Sequence, residues 1–88
     1  NDLPLMPALT EIDGSAVTFS KPQGRIVEVA ATGKTDKARV LVFYARTLPQ
    51  LGWQSSGAAI WLRDSERLGL SFRENGDTIV VQFSLAPQ

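Results

Sequence analysis

The sequence predicts an α+β domain in which one helix covers one face of a mainly antiparallel sheet. Residues 36–51 have the apolar periodicity of an amphipathic helix. The segments before and after them alternate apolar and polar residues, as half-buried strands do. Turn-forming residues, such as Asn75 and Gly76, separate these segments and favour hairpins. We therefore expect a two-layer sandwich with the element order β-β-α-β-β-β.

The first segment is predicted to be an extended arm. The chain has 88 residues, the length of one domain, and we expect residues 1–88 to form a single domain. Residues 1–12 read NDLPLMPALTEI, with two prolines among five large apolar residues. Pro4 and Pro7 favour extended or polyproline geometry. An arm that carries so many apolar side chains should dock, and its own domain is the expected surface.

A hairpin is predicted next, from AVTFS through KPQG to RIVEVAAT. Pro22 suits the first central position of a turn. Gly24 can take the positive φ angle that closes a three-residue loop. A loop of that length would place Phe19 opposite Val27, so that apolar side chains meet on one face of the hairpin.

The helix is predicted over residues 36–51. Asp36 favours the positive start of a helix, and Thr35 directly before it is the expected N-cap. The apolar stripe is about 100° wide, as expected for a helix that lies on a sheet. The stripe comprises Val40, Leu41, Tyr44, Leu48 and Leu51.

The end of the helix has its own signals. Pro49 lies inside the last turn, which predicts a kink or a tighter final turn. Gly52 is expected to stop the helix in the left-handed conformation. Trp53, just beyond it, can then fold back on Leu48, because such an apolar contact often accompanies this kind of cap.

The last third of the chain is predicted to form three strands. Two runs, RLGLSFRE and DTIVVQFSL, flank Asn75 and Gly76, and this pair is a strong hairpin signal. A two-residue loop formed by that pair would place Leu70 opposite Val81. The remaining strand, AAIWLR, precedes them and is joined through residues 64–66.

The facing of the AAIWLR strand depends on the length of the loop that follows it. Trp61 faces the core if the loop has two residues. Ile60 and Leu62 face the core if it has three. The sequence leaves both alternatives open.

The composition argues against several classes of function. The chain has no cysteine and no histidine, which removes thiol chemistry and the commonest general base and metal ligand. Nine basic and nine acidic residues cancel, so no long-range field attracts nucleic acid. The longest apolar run, residues 40–45, is far shorter than the ~20 residues of a membrane helix. We therefore expect no enzyme, cofactor, metal, nucleic-acid partner or membrane span.

The outer side of the helix is the first candidate site. Val42 and Phe43 fall outside the core stripe, and Arg39 and Arg46 lie on the same outer surface. Apolar residues framed by arginines have the composition of a protein contact. Alternatively, the N-terminal arm folds over these residues and buries them, since exposed apolar patches are normally covered.

Two further sites are considered. A small apolar ligand could lie between helix and sheet, in a pocket lined by Tyr44, Trp53 and Trp61. An anion or acidic partner could bind an arginine patch on the strands, although neighbouring acidic residues are alternative partners for these arginines. That patch consists of Arg63, Arg67 and Arg73.

The string VLVFYARTLPQLGW, preceded by LPLMPAL and KPQGRIVE and followed by FSLAP, resembles a set of small uncharacterised exported bacterial proteins. In that set a leucine-proline-methionine arm follows an export signal, and an FY…LP.LGW helix lies mid-chain. The resemblance covers most of the chain. It implies export and a binding or structural role, and it carries over no catalytic residues. A first residue other than methionine also favours a removed export signal, with cytoplasmic residence as the alternative.

These observations together predict a non-enzymatic protein-interaction or structural module of the bacterial cell envelope. Such a module would act through the outer face of its helix or through an open sheet edge. The alternative is a carrier of a small apolar ligand. We expect a monomer or a weak homodimer.

Overall fold

The computed structural model describes residues 3–88, and these form one α-helix and a seven-stranded antiparallel sheet. The predicted α+β class is confirmed. A 3₁₀ turn, Leu48–Leu51, extends the helix. The elements are β1 (Thr10–Glu11), β2 (Val17–Lys21), β3 (Gly24–Gly33), α1 (Lys37–Thr47), β4 (Gln54–Gly57), β5 (Ile60–Arg63), β6 (Glu66–Asn75) and β7 (Thr78–Pro87).

The sheet has the order β1-β3-β7-β6-β5-β4, and β2 also pairs with β3. Strand β1 pairs with the end of β3, and β2 pairs with its beginning. The predicted order lacked β1 and β4, because β1 has only two residues and β4, with the sequence QSSG, has no apolar residue that could alternate with polar ones. Strand β1 lies within the predicted arm, residues 1–12. The first two residues of that arm lie outside the described part of the chain.

The core lies between the helix and one face of the sheet. Val40, Tyr44 and Leu48 of the helix stripe are fully buried. Burying a side chain of this size stabilises a fold by roughly 1.5–3 kcal/mol. The strands and the flanking segments supply the rest of the core, namely Leu9, Ala31, Trp53, Trp61, Leu68, Leu70, Ile79, Val81 and Phe83.

The helix begins one residue later than predicted. Asp36 is the N-cap, and its carboxylate accepts a hydrogen bond of 2.9 Å from the backbone N–H of Arg39. The expectation that Thr35 caps the helix is therefore wrong. Thr35 is instead buried, and Asp36 has the extended backbone conformation from which a side chain can reach the first free N–H groups.

Most of what was predicted for the end of the helix is confirmed. Pro49 lies in the tighter 3₁₀ turn, and Gly52 follows with a left-handed φ of 91°. The backbone N–H of Trp53 donates to the carbonyl oxygen of Leu48 at 3.1 Å, and both side chains are buried. Leu51 is an exception, since it is 38% exposed. The turn at Gly52 brings Trp53 into the core, where Leu51 was expected.

The β2–β3 hairpin has a shorter loop than predicted. Lys21 pairs with Gly24, so the loop has two residues, and Phe19 lies opposite Ile26 and not opposite Val27. The prediction relied on the pairing of apolar residues across the hairpin. Phe19 points away from the helix and is 47% exposed, so burial in the core does not fix the register of this hairpin.

The β6–β7 hairpin turns at Gly76 and Asp77, and its register is shifted by two residues from the predicted one. Leu70 pairs with Phe83 and not with Val81. Gly76 has a φ of 64°, the positive value that the first central residue of a type I′ or II′ turn requires. A shift of two residues keeps every side chain on its face, so the apolar pattern could not detect it.

The β5–β6 loop resolves the facing of Trp61. Arg63 pairs with Glu66, so the loop has two residues, and Asp64 in it has a φ of 54°. Trp61 is 2% exposed and faces the core, as expected for that loop length.

Candidate protein-interaction surface

The N-terminal arm is hydrogen-bonded to the side chain of Tyr44 in the helix. The Tyr44 hydroxyl donates a hydrogen bond to the carbonyl oxygen of Pro4 at 2.9 Å and accepts one from the N–H of Met6 at 3.2 Å. Burial raises the pKa of Tyr44 above its usual 10.0, and the Met6 N–H lowers it by a smaller amount. Further along the arm, Leu9 is buried in the core. The arm therefore forms part of the domain surface.

A shallow apolar depression lies on the outer side of the helix, next to the arm. We call it the helix patch. The side chains of Val42, Phe43 and Met6 are its large apolar members, and Arg39 and Arg46 are its charged ones. Helix periodicity places these helical residues together, because residues three and four apart share a face. The complete lining is Met6, Ala38, Arg39, Val42, Phe43, Arg46 and Thr47.

The arm covers the helix patch only in part. Phe43 is half-buried and packs edge-on against the ring of Tyr44, with ring centroids 4.9 Å apart. Val42 remains 50% exposed, although Met6 from the arm lines the same depression. The result lies between the two predicted alternatives, since neither a bare patch nor a buried one is formed.

The two arginines of the helix patch extend into solvent. Arg39 Nε lies 3.8 Å from Asp36 Oδ2, and the Arg39 side chain is 75% exposed. Such exposed ion pairs contribute about 0–1 kcal/mol, so this one leaves the guanidinium free to exchange partners. Arg46 is likewise exposed. The patch thus combines a partly exposed apolar centre with positive charge at its rim.

The three arginines of the predicted anion patch do not lie together. Arg63 shares the core-facing side of β5 with Trp61; its guanidinium carbon lies 4.5 Å from the centroid of the Trp53 ring. Its Nη1 also donates to the carbonyl oxygen of Leu51 at 3.0 Å. Arg67 and Arg73 lie on the opposite face of the sheet, six residues and therefore ~20 Å apart. The alternation of side chains along the strands separates Arg63 from the other two.

The three aromatic residues of the predicted ligand pocket are packed into the core. Tyr44, Trp53 and Trp61 are between 0% and 2% exposed. A separate apolar cleft of about 100 Å³ lies between the arm and the sheet. Its apolar lining includes Leu3, Pro4, Leu5, Val29, Ala31 and Phe83.

The opposite face of the sheet carries a second group of exposed apolar residues. Val17 is 42% exposed and, like Phe19, points away from the helix because it pairs with the side of β3 that faces solvent. We call this side of the sheet the open face. Strand β4 lies at one edge of the sheet, and all of its residues are exposed. Such an edge presents unpaired backbone groups.

Sequence reasoning identified four members of the helix patch and missed three. Ala38 is four residues before Val42, so helical spacing could have found it. Met6 gave no such signal, because its position depends on how the arm crosses the helix. Thr47 lies at the end of the helix, where its hydroxyl donates to the carbonyl oxygen of Phe43 at 2.7 Å.

Comparisons with protein-family models, curated proteins and solved structures found no match for this chain. The resemblance to small exported bacterial proteins therefore stays a prediction. None of the helices formed by residues 3–88 has the length and apolar character needed to cross a membrane. Within the same residues, no three acidic side chains converge on a position that could hold a metal ion.

Proposed function

We propose that this protein is a non-enzymatic interaction module of the bacterial cell envelope, and that it binds a partner protein at the helix patch. The observation that carries the proposal is the half exposure of Val42 at the centre of an apolar depression with arginines at its rim. Interfaces combine a desolvated apolar centre with a polar rim, and arginine is enriched in them. In a two-layer arrangement the outer side of the helix is free for such a contact.

The remaining parts of the proposal rest on the sequence. Export to the periplasm or beyond rests on the resemblance of the sequence to small exported proteins. The protein is proposed to be a monomer or a weak homodimer that binds no nucleic acid, since its formal net charge is zero. A non-enzymatic role fits the absence of histidine and cysteine and the exposure of Asp64, Glu74 and Asp77 at hairpin turns.

The test is affinity capture with two matched variants. Val42→Asp places a charge in the helix patch, whereas Val17→Asp makes the same change at a residue of similar exposure on the open face. We expect a partner that is captured by the wild type and by Val17→Asp, and whose yield falls roughly tenfold with Val42→Asp, as for a buried interface residue. Thermal unfolding of both variants checks that they remain folded.

Two results would contradict this interface. Equal capture by Val42→Asp would exclude the helix patch. Loss of the partner with Val17→Asp alone would place the interface on the open face or at the neighbouring edge of β2.

A carrier of a small apolar ligand is the second candidate, and the cleft between the arm and the sheet is the observation in its favour. Its volume of about 100 Å³ limits the ligand to a few atoms, because a cavity of ~150 Å³ is needed for a molecule of the size of benzene. A carrier would retain an additional mass in native mass spectrometry and would gain thermal stability from the ligand. A protein of bare mass, unchanged in stability by small apolar compounds, would exclude this function.

A further inference from the structure

We propose that the partner presents an acidic α-helix to the helix patch, with two carboxylates seven residues apart and apolar side chains between them. This inference rests on the proposed function and specifies the chemistry of the partner. Three properties of the patch support it: its charge, the spacing of its arginines and the small side chains on the helix surface.

The charge of the chain is unevenly distributed. Residues 34–46 carry four basic side chains and one acidic one, a net charge of +3, whereas the whole chain has a formal net charge of zero. The one acidic residue, Asp36, accepts a hydrogen bond from the N–H of Arg39 as the helix cap. Glu74 of β6 adds a second carboxylate at the helix start, where it accepts a hydrogen bond from the N–H of Lys37 at 3.3 Å and lowers the net charge there from +3 to +2. The helix surface is still positive, and a complementary partner is negative there. Complementary charge speeds association and disfavours wrong partners.

The spacing of the two arginines favours a helical partner. Arg39 and Arg46 are seven residues apart, which corresponds to ~10.5 Å along the helix axis and ~20° around it. Val42 lies between them. Carboxylates seven residues apart on a partner helix have the same spacing. Along a strand, side chains on one face are ~6.8 or ~13.6 Å apart, so a strand matches the two arginines less well.

The small residues of the helix patch allow another helix to approach. Ala38 and Thr47 lie at its two ends, and Val42 is the exposed apolar residue between them. Helices pack at interaxial distances of about 8–10 Å, and small side chains at the contact permit the shorter distances. The apolar side chains of the partner would then fill the depression formed by Met6, Val42 and Phe43.

An anionic membrane surface is the competing explanation for a basic helix with apolar residues. Membrane-bound helices insert large projecting side chains, such as tryptophan, phenylalanine or leucine, into the lipid. Val42 has a short side chain and lines a shallow depression, and Phe43 is half-buried against Tyr44. The shape of the patch therefore favours an inserted side chain from a partner over insertion of the patch into lipid.

The inference is tested with designed helical peptides. Each has about 20 residues, which is long enough to form a helix when the sequence is rich in alanine. One carries two glutamates seven positions apart with two leucines between them. A second has lysines in place of the glutamates, and a third has the glutamates four positions apart. Binding is measured by NMR titration of the wild type, of Val42→Asp and of the double variant Arg39→Glu, Arg46→Glu.

We expect the first peptide to bind the wild type roughly tenfold more tightly than the lysine peptide at low ionic strength, with the difference shrinking as salt is added. The double variant should prefer the lysine peptide. This reversal distinguishes a charge contact from misfolding, since a misfolded variant would bind neither peptide. Circular dichroism of the double variant provides an independent check of its fold.

Other results overturn the inference in distinguishable ways. Equal binding of the acidic and lysine peptides, lost in Val42→Asp, would refute the acidic partner and leave the proposed function intact. Equal binding of the two acidic peptides would refute the seven-residue spacing. Binding that does not depend on Val42 would refute the proposed function as well. Cosedimentation with phosphatidylglycerol vesicles that is lost in the double variant, without peptide binding, would assign the patch to a membrane surface.

Discussion

The hydroxyl of Tyr44, in the middle of the helix, donates a hydrogen bond of 2.9 Å to the carbonyl oxygen of Pro4 in the N-terminal arm. The same oxygen accepts a hydrogen bond from the N–H of Met6, and Met6 lines the helix patch beside Val42. This buried side chain thus helps to hold the arm in position and shapes the surface that we propose to bind a partner. The stability of the arm and the shape of the patch should therefore change together.

Replacing Tyr44 by phenylalanine should loosen the arm while the core stays packed. The ring remains, but the Pro4 carbonyl and the Met6 N–H lose their partner, at a cost of about 1–3 kcal/mol in the free energy of unfolding. Urea denaturation measures this cost, and hydrogen exchange of the Met6 amide should accelerate. Ser55→Ala removes a hydroxyl that donates to the carbonyl oxygen of Gly57 in β4, at the opposite edge of the sheet from β1, and should leave the Met6 exchange rate unchanged. Unchanged Met6 exchange in Tyr44→Phe would contradict this role of the hydroxyl.

The raised pKa of Tyr44 predicts a loss of stability at alkaline pH. Burial disfavours the charged tyrosinate. The folded state therefore keeps the hydroxyl proton of Tyr44 above pH 10.0, where the unfolded chain has begun to release it. The stabilisation is fully present below pH 10.0 and declines as the pH rises above that value. Denaturation of the wild type and of Tyr44→Phe across this range isolates the effect, since lysine titration is common to both.

Tyr44 is the only tyrosine of the chain, so its ionisation can also be followed directly by ultraviolet absorbance. Titration of the folded protein should give a pKa above 10.0, and titration in denaturant should give the ordinary value. Identical values in the two states would refute the prediction.

The sequence predicted the helix and the fold class because both depend on local periodicity. Apolar residues that recur every three or four positions identified Val40, Tyr44 and Leu48, and all three are buried. Registers were less predictable. In the β6–β7 hairpin a shift of two residues leaves the buried face unchanged, so neither register violates the pattern. In the β2–β3 hairpin the pattern was misleading, because Phe19 faces solvent.

The candidate site was predictable to the extent that it is helical. Arg39, Val42, Phe43 and Arg46 follow from the helix period, and they line one depression. Met6 is held at the patch by the hydrogen bond from its N–H to the hydroxyl of Tyr44, a residue 38 positions away. A single sequence contains no information on which residue of an arm meets which turn of a helix, so this contact required the structure.

Ser15 lies between β1 and β2 in the chain, and its side chain hydrogen-bonds to the part of β3 that neither of these strands pairs with. Its hydroxyl accepts a hydrogen bond from the N–H of Ala30 at 3.1 Å and lies 2.6 Å from the carbonyl oxygen of Ile12, to which it donates. Ser15→Ala should destabilise the protein by about 1–3 kcal/mol, because it leaves the N–H of the buried Ala30 without its partner. Urea denaturation and amide exchange at Ala30 measure the effect. The exposed Ser20→Ala is the control, and an equal effect of the two substitutions would contradict this role of Ser15.

Gly33 should be intolerant of a side chain because the arm crosses directly over it. A Cβ at Gly33 would overlap the backbone carbonyl oxygen of Ala8, and backbone atoms cannot move aside as flexible side chains can. Gly33→Ala should therefore displace the arm and destabilise the protein by about 1–3 kcal/mol, as overpacking does. Gly69→Ala is the matched control on another strand, since a Cβ there has no atom within 4 Å. It should stabilise the protein by roughly 0.5–1 kcal/mol, because alanine suits a strand interior better than glycine.

Urea denaturation separates the two outcomes, and amide exchange at Met6 and Leu9 should accelerate in Gly33→Ala alone. If both variants retain wild-type exchange at these positions, the arm does not rest on Gly33.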